Sequence, residues 1–319
     1  RSSDLRVSIR IAKAWSGGSG IIVTQEAYHG TSELTSGASP ALGSGQPLAP
    51  TTRLVPPPDR YRVDAPDLGA WWAQEIQKQI DDMAAHGIKF AGLLVDSIFS
   101  SDGVLPGPQG FLKPALEVVH ANGGIFIADE VQPGFARTGD SFWGFGRHGI
   151  VPDVVTLGKP MGNGIPVSGL LAKANVLAAF SDDIPYFNTF GGNPVSMAAA
   201  QAVLQVIREE KLQEHSLKVG GQLRNELALL ADRHPSVGDV RGAGLFTGFE
   251  LVSDRENKTP DKALALDVIE RLRAERVLTS VAGPYGNVLK LRPPLAFQVE
   301  DIDWLVGSLD KVLTACAVK

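Results

Sequence analysis

A lysine follows directly on an apolar run in DVVTLGKPMGNGIPVSGLLA (153–172). Lys159 is trailed by Pro160, Gly162, Asn163 and Gly164, which puts a primary amine at a strand end where the chain turns sharply away. An amine so placed is either a solvated loop cation or a desolvated base, nucleophilic towards a carbonyl carbon because its pKa has fallen. A second run, IADEVQPGFARTG (127–139), closes an apolar strand on Asp129 and Glu130, with Gln132 just beyond. An unpaired buried carboxylate is costly. These acids therefore need a cationic ligand or a salt bridge, for which Arg137 is at hand.

The elements that must position these groups are short and alternate in kind. GIIVTQ (20–25), FAGLLVDS (90–97), GIFIADEV (124–131), DVVTLGK (153–159) and VSGLLAK (167–173) read as strands buried on both faces. Trp71 to His86 and Gly110 to Asn122 read as helices between them. The pattern predicts an α/β fold with a mostly parallel central sheet covered by helices. Ligands collect at the carboxyl ends of such strands, where Asp129 and Lys159 both fall. The Ser-, Gly- and Pro-dense segment 34–68 reads as a long surface excursion. From Pro194 a long helical stretch runs to about His234, with a hinge expected within 205–235. Strands (VGDVRGAG, LFTGFELV, NVLKLRPP) and two further helices follow. The expected division is a large domain over 1–209 and a smaller α+β C-terminal domain over 210–319.

The chain has 319 residues, 44% hydrophobic and 20% charged, enough for two packed domains. A net charge of −5 argues against a nucleic-acid partner. No apolar run approaches the roughly 18–20 residues that span a bilayer. RSSDLRVSIRIAK, at the start, lacks the apolar core and cleavage site of a signal peptide. The single Cys316 excludes an intrachain disulfide, and a cytoplasmic enzyme is expected.

IADEVQPGFARTG belongs with EAYHGT (26–31), PDVVTLGKPMGNGIPVSG (152–169), TFGGNP (189–194), RGAGLFTGFEL (241–251) and RPPL (292–295). In this order and spacing they resemble the class III aminotransferases, a branch of the fold-type I enzymes that use pyridoxal 5'-phosphate (PLP). The resemblance runs through nearly the whole chain. It implies a PLP fold-type I large domain, here with its N-terminal part incomplete, and a homodimer with shared active sites. Small-molecule substrates are implied: an amine or amino acid and a keto acid. Lys159 would form the internal aldimine (a Schiff base) and shuttle the substrate's α-proton. Asp129 would hold the pyridine nitrogen and Gln132 the phenolic oxygen of the ring. Tyr28 would stack on one ring face and Val131 on the other, and Thr189 would reach the phosphate held by the neighbouring subunit. Plainer alternatives stand beside these: core packing for Tyr28, a loop hydroxyl for Thr189, and a structural imidazole for His29. Arg137 and Thr138 fit a structural turn.

Three departures from the family pattern carry further expectations. Relatives have a longer N-terminal segment and a Gly-Ser/Thr-rich turn opening a helix whose N–H groups bind the cofactor phosphate. Only Ser2 and Ser3 could imitate that turn here. In VDSIFSSDGV (95–104), members acting on ornithine or 4-aminobutyrate carry a Glu-Pro pair and then a second glutamate, which releases an arginine for a dicarboxylate. This chain has Asp96-Ser97 and Ser100-Ser101, so that switch is not expected. Finally, Lys290 stands where the family places the arginine that grips the α-carboxylate, and Arg292 follows two residues on. Lysine is a point charge and not a bidentate fork. The form NVLKxxPP is similar to the subgroup containing phospholyases. Lys290 or Arg292 is expected either to contact an anionic substrate group or to lie on a surface strand edge. The resemblance implies an aminotransferase first. The alternatives are a PLP-dependent phospholyase acting on an amino-alcohol phosphate, or a catalytically impaired truncated homologue.

Overall fold

Runs of Ile, Val and Leu too short for helices form the spine of the molecule. In a computed structural model, which describes residues 2–182 and 184–317 without the side chains of residues 2 and 3, six of them build one sheet. The strands are β1 (Gly20–Thr24), β2 (Thr52–Val55), β3 (Phe90–Val95), β4 (Ile125–Asp129), β5 (Val154–Leu157) and β6 (Gly169–Ala172), in the order β2-β1-β3-β4-β5-β6. All neighbours pair in parallel except β5 and β6, which are antiparallel. The expected α/β architecture is present, with each strand slightly shorter than its apolar run.

Strand periodicity decides which helix covers which face. Ile21, Val23, Ile125 and Ile127 pack with Leu5, Ile9 and Ala12 of α1 (Ser2–Ser16). Val176 and Phe180 of a later helix, Ala174–Ser181, join that layer. Ile22, Leu93, Phe126 and Ala128 point the other way. They meet Trp72, Ile76 and Met83 of a helix spanning Leu68–Ala85, and Ala115 and Val119 of another spanning Lys113–Ala121. A four-residue helix, α2 (Glu33–Ser36), makes these three α3 (Leu68–Ala85), α4 (Lys113–Ala121) and α5 (Ala174–Ser181) in chain order. Asp67 caps α3 by accepting from the Ala70 N–H at 2.9 Å.

Several sequence expectations are corrected. The 34–68 excursion contains β2, whose Thr52–Val55 pair in register with Ile21–Thr24 and form one sheet edge. The other edge strand, β6, is not buried on both faces, and Leu171 is exposed. The helix expected over 194–234 is two helices, α6 (Pro194–Glu209) and α7 (Leu212–Arg233). They part at Lys211, whose φ of 49° is left-handed and cannot continue a right-handed helix.

A second, antiparallel sheet follows. It comprises β7 (Val237–Ala243), β8 (Phe246–Asp254), β9 (Thr259–Pro260), β10 (Val281–Ala282) and β11 (Val288–Leu291), in the order β10-β11-β8-β7 with β9 on β8. Leu223 and Leu227 of α7, Val268 and Leu272 of α8 (Lys262–Ala274), and Leu309 and Leu313 of α9 (Val299–Ala317) cover Phe249, Leu251 and Leu289. The turn between β7 and β8 presses on α7 so closely that any side-chain carbon at Gly220 would collide with the Gly244 carbonyl. No helix among the described residues is long and apolar enough to cross a membrane.

Candidate active site

β4 and β5 end side by side, with Asp129 in register with Thr156. Lys159 lies just beyond β5 and opens a 3-10 turn, Lys159–Gly162, with a left-handed φ of 34°. A non-glycine residue pays about 1–2 kcal/mol for that conformation. The left-handed turn takes the chain abruptly off the strand line, as the Pro-Gly-Asn-Gly composition predicts. The half-buried Lys159 lines a cavity of about 220 Å³ with Tyr28, His29, Asp129, Val131 and Gln132. Leu5 brings the first turn of α1 to the same cavity, and Asp96 brings the end of β3.

Asp129 is 5% exposed, yet no salt bridge to Arg137 forms. Its Oδ2 lies 2.8 Å from His29 Nδ1, and its Oδ1 accepts from the Val131 N–H at 3.1 Å. His29 is buried, with its backbone N–H donating to Ser39 Oγ at 2.8 Å. Each carboxylate oxygen thus holds one donor and can accept another from the cavity. Glu130 faces elsewhere. It is fully buried and accepts from Ser97 Oγ, Gly144 N–H and Phe145 N–H at 2.7, 2.7 and 2.9 Å. Burial still pushes its pKa up to about 7. Arg137 spends one guanidinium nitrogen on the Leu245 and Pro293 carbonyls, the structural role its position suggested.

Gln132 is held at both ends of its carboxamide. Its Nε2 donates to Ser100 Oγ at 2.5 Å, and its Oε1 accepts from Arg292 Nη1 at 2.7 Å. Ser100 Oγ donates in turn to Asp96 Oδ2 through a short hydrogen bond. Burial, and secondarily the charge of Asp129, raises the pKa of Asp96.

The remaining expected site residues scatter. Lys290 is half-buried on β11, between β8 and β10, so it is not on a strand edge. Its ammonium sits 5.8 Å from the centre of the Phe246 ring, as does the Arg292 guanidinium. Burial, then the charge of Arg292, pulls the Lys290 pKa down to about 8 against the pull of Asp96 and Asp102. Neither cation lines the cavity, but Arg292 reaches it through Gln132. Thr189 is exposed and outside the cavity of its own chain. Ser2 and Ser3 open α1, and their side chains lie outside the described residues.

Sequence reasoning missed Asp96 and Ser100 as neighbours of the site. The available signal was that FAGLLVD, like IAD, ends an apolar strand on aspartate. It also missed Asp4, a buried acid on α1 whose pKa burial lifts to about 7. No group of metal-binding side chains occurs among the described residues.

Residues 5–313 match the class III aminotransferase family, and the chain belongs to it. Over 307 residues it is 38% identical to alanine–glyoxylate aminotransferase 2 homolog 2, mitochondrial, of Arabidopsis thaliana. That match covers 95% of this chain and 63% of the relative, so the chain spans less than two thirds of that protein's length. Among solved structures it is similar to a phospholyase from Arthrobacter in complex with phosphoethanolamine, with a TM-score of 0.93 and 37% identity over 98% of this chain and 75% of that one. An amine transaminase from an uncultivated Pseudomonas species, in its PLP-bound form, matches with a TM-score of 0.88 and 28% identity over 99% and 75%. Pyridoxal 5'-phosphate is the cofactor bound in that transaminase. The donor set fits its ring: an amine for the aldehyde, a buried carboxylate with acceptor capacity for the ring N–H, and an amide for the phenolic oxygen.

Proposed function

We propose that this chain carries the greater part of an aminotransferase, moving an amino group between an amine or amino acid and a keto acid. The observation behind this reading is that Lys159, Asp129 and Gln132 line one cavity at the carboxyl ends of β4 and β5. Bound there, PLP supplies an electron sink conjugated to the substrate nitrogen. Lys159 Nζ would hold the cofactor covalently and, once the substrate amine has displaced it, would carry the proton from the substrate's α-carbon to the cofactor. Asp129, oriented by His29, would hold the proton on the ring nitrogen. Gln132 donates to the phenolic oxygen, and Tyr28 and Val131 flank the ring. Ser2 and Ser3, at the opening of α1, contribute to the phosphate grip. Lys290 and Arg292 orient the anionic end of the substrate. The division at 209/210 and a homodimer in which Thr189 serves the partner's site belong to the same reading.

A phospholyase acting on an amino-alcohol phosphate is the second reading. Two cations on one aromatic ring beside Gln132 favour it, since they suit a dianionic leaving group as well as a carboxylate. The test is the absorption spectrum of the purified chain with PLP, beside Lys159→Ala. A band of the bound cofactor, present in the parent and absent in the variant, is expected. Its absence from both would leave the impaired homologue as the better reading. Phosphate released from phosphoethanolamine without a keto acid would favour the lyase, whereas dependence on a keto acid would favour amino transfer.

A further inference from the structure

Gln132 is gripped by other side chains at both ends of its functional group. An amide can lie in either of two orientations related by a flip, and the neighbours choose between them. A guanidinium only donates, so Arg292 requires the carbonyl oxygen on its side. The other neighbour, Ser100 Oγ, could donate or accept, and Asp96 decides. Asp96 Oδ2 accepts the hydrogen bond that the Ser100 hydroxyl donates, which leaves the Ser100 oxygen as an acceptor for Gln132 Nε2. Asp96 is itself fixed, because its Oδ1 accepts from the Ile98 N–H at 3.0 Å and its Oδ2 from the Ser100 N–H at 3.1 Å. Ser100 is fully buried.

We infer that Ser100 is a positioning residue. Through the chain Asp96–Ser100–Gln132–Arg292 it sets the orientation of the Gln132 amide, so that one Nε2 hydrogen is spent on Ser100 and the second is presented to the cofactor cavity. The same chain ties Arg292, on the second sheet's side of the site, to the residue that meets the ring. An anion drawn to Arg292 therefore pulls on the carbonyl end of Gln132, and Ser100 resists that pull at the nitrogen end. This inference rests on the proposed placement of PLP against Lys159 and Gln132.

The experiment is a pH titration of the visible absorption band of the PLP-loaded protein for the parent, Gln132→Leu, Ser100→Ala and Ser100→Thr. Losing one hydrogen bond to the ring oxygen is worth roughly half to one unit of midpoint. The expected result is a midpoint shift of that size in Gln132→Leu, a smaller shift in the same direction in Ser100→Ala, and the parent midpoint in Ser100→Thr, which keeps the hydroxyl. A shift in Gln132→Leu with none in Ser100→Ala would overturn the inference and leave the placement of the cofactor standing. A shift in Ser100→Ala that threonine does not rescue would also overturn it, since packing alone would then be responsible. If Gln132→Leu itself titrates like the parent, the placement of Gln132 against the cofactor fails and the inference falls with it.

Discussion

His29 Nδ1 lies 2.8 Å from Asp129 Oδ2, with His29 2% and Asp129 5% exposed. The carboxylate at the centre of the site is thus oriented by a ring whose own backbone is pinned to Ser39. Asp129→Asn keeps an acceptor for the Val131 N–H and, with the other imidazole tautomer, a partner for His29. Its unfolding free energy should stay near that of the parent, while its turnover falls roughly a hundredfold or more because a neutral amide cannot hold the ring proton. His29→Leu should cost stability as well. It strips a donor from a buried carboxylate and lowers stability by about 1–3 kcal/mol in denaturant unfolding.

Lys290, pulled down to about 8 by burial and by Arg292, is cationic at pH 7 and largely neutral by pH 9.5. A phosphate monoester keeps its charge across that range, since its second pKa is about 6. Inhibition by a phosphate monoester that carries no amine should therefore weaken as pH rises through 8. In Lys290→Met the inhibition should be weaker throughout and should lose that inflection. An inflection that survives the substitution would assign it to another group.

Asp102 is buried, accepts from Thr24 Oγ1 at 2.7 Å and from the Glu26 N–H at 3.0 Å, and still has its pKa raised to about 7 by burial. The folded chain keeps this proton longer than the unfolded chain does. Between about pH 4 and 7 the folded state therefore binds more protons, and stability falls as pH rises through that window. Asp102→Asn preserves both hydrogen bonds, because the Thr24 hydroxyl can accept as readily as donate. The variant should lose that slope and gain stability at pH 7.5, on the order of 4 kcal/mol at most. Thermal melts at pH 4.5 and pH 7.5 would read the difference.

Gly220 sits where α7 meets the Gly244 carbonyl, and a β-carbon there has backbone on the other side. Gly220→Ala should cost about 3 kcal/mol, since neither the helix nor the turn can yield cheaply. Gly221, with open space beside it, is the matched control. Gly221→Ala should be neutral or slightly stabilising by chemical denaturation.

Much of this was legible in local pattern. Five of the six strands of the large sheet, the amine after β5 and the acid closing β4 all follow from runs of apolar residues and what interrupts them. α1 was not recognised, because RSSDLRVSIRIAK intersperses charge among the residues that pack, and its apolar face appears only against the sheet. β2 was hidden because TRLV lies among prolines and takes its strand character from pairing with β1. The break at Lys211 leaves no mark in composition, as no glycine or proline occurs there. The partners of Gln132 come from 32 residues before it and 160 after, a separation to which periodicity is blind.

The segment leading to Tyr28 is held by Asp102 across 78 positions, and the turn after Asp102 is held by Arg241, whose Nε reaches the Gly103 carbonyl across 138 more. Such contacts form only after long stretches of chain have closed on themselves, which slows them. On a ribosome, the residues up to Lys159 emerge well before Arg241 does. The amine is thus made early and the wall that faces it is braced late. A nascent chain should gain its cofactor only after β7 has emerged, and one stalled before β7 should leave the ribosome colourless.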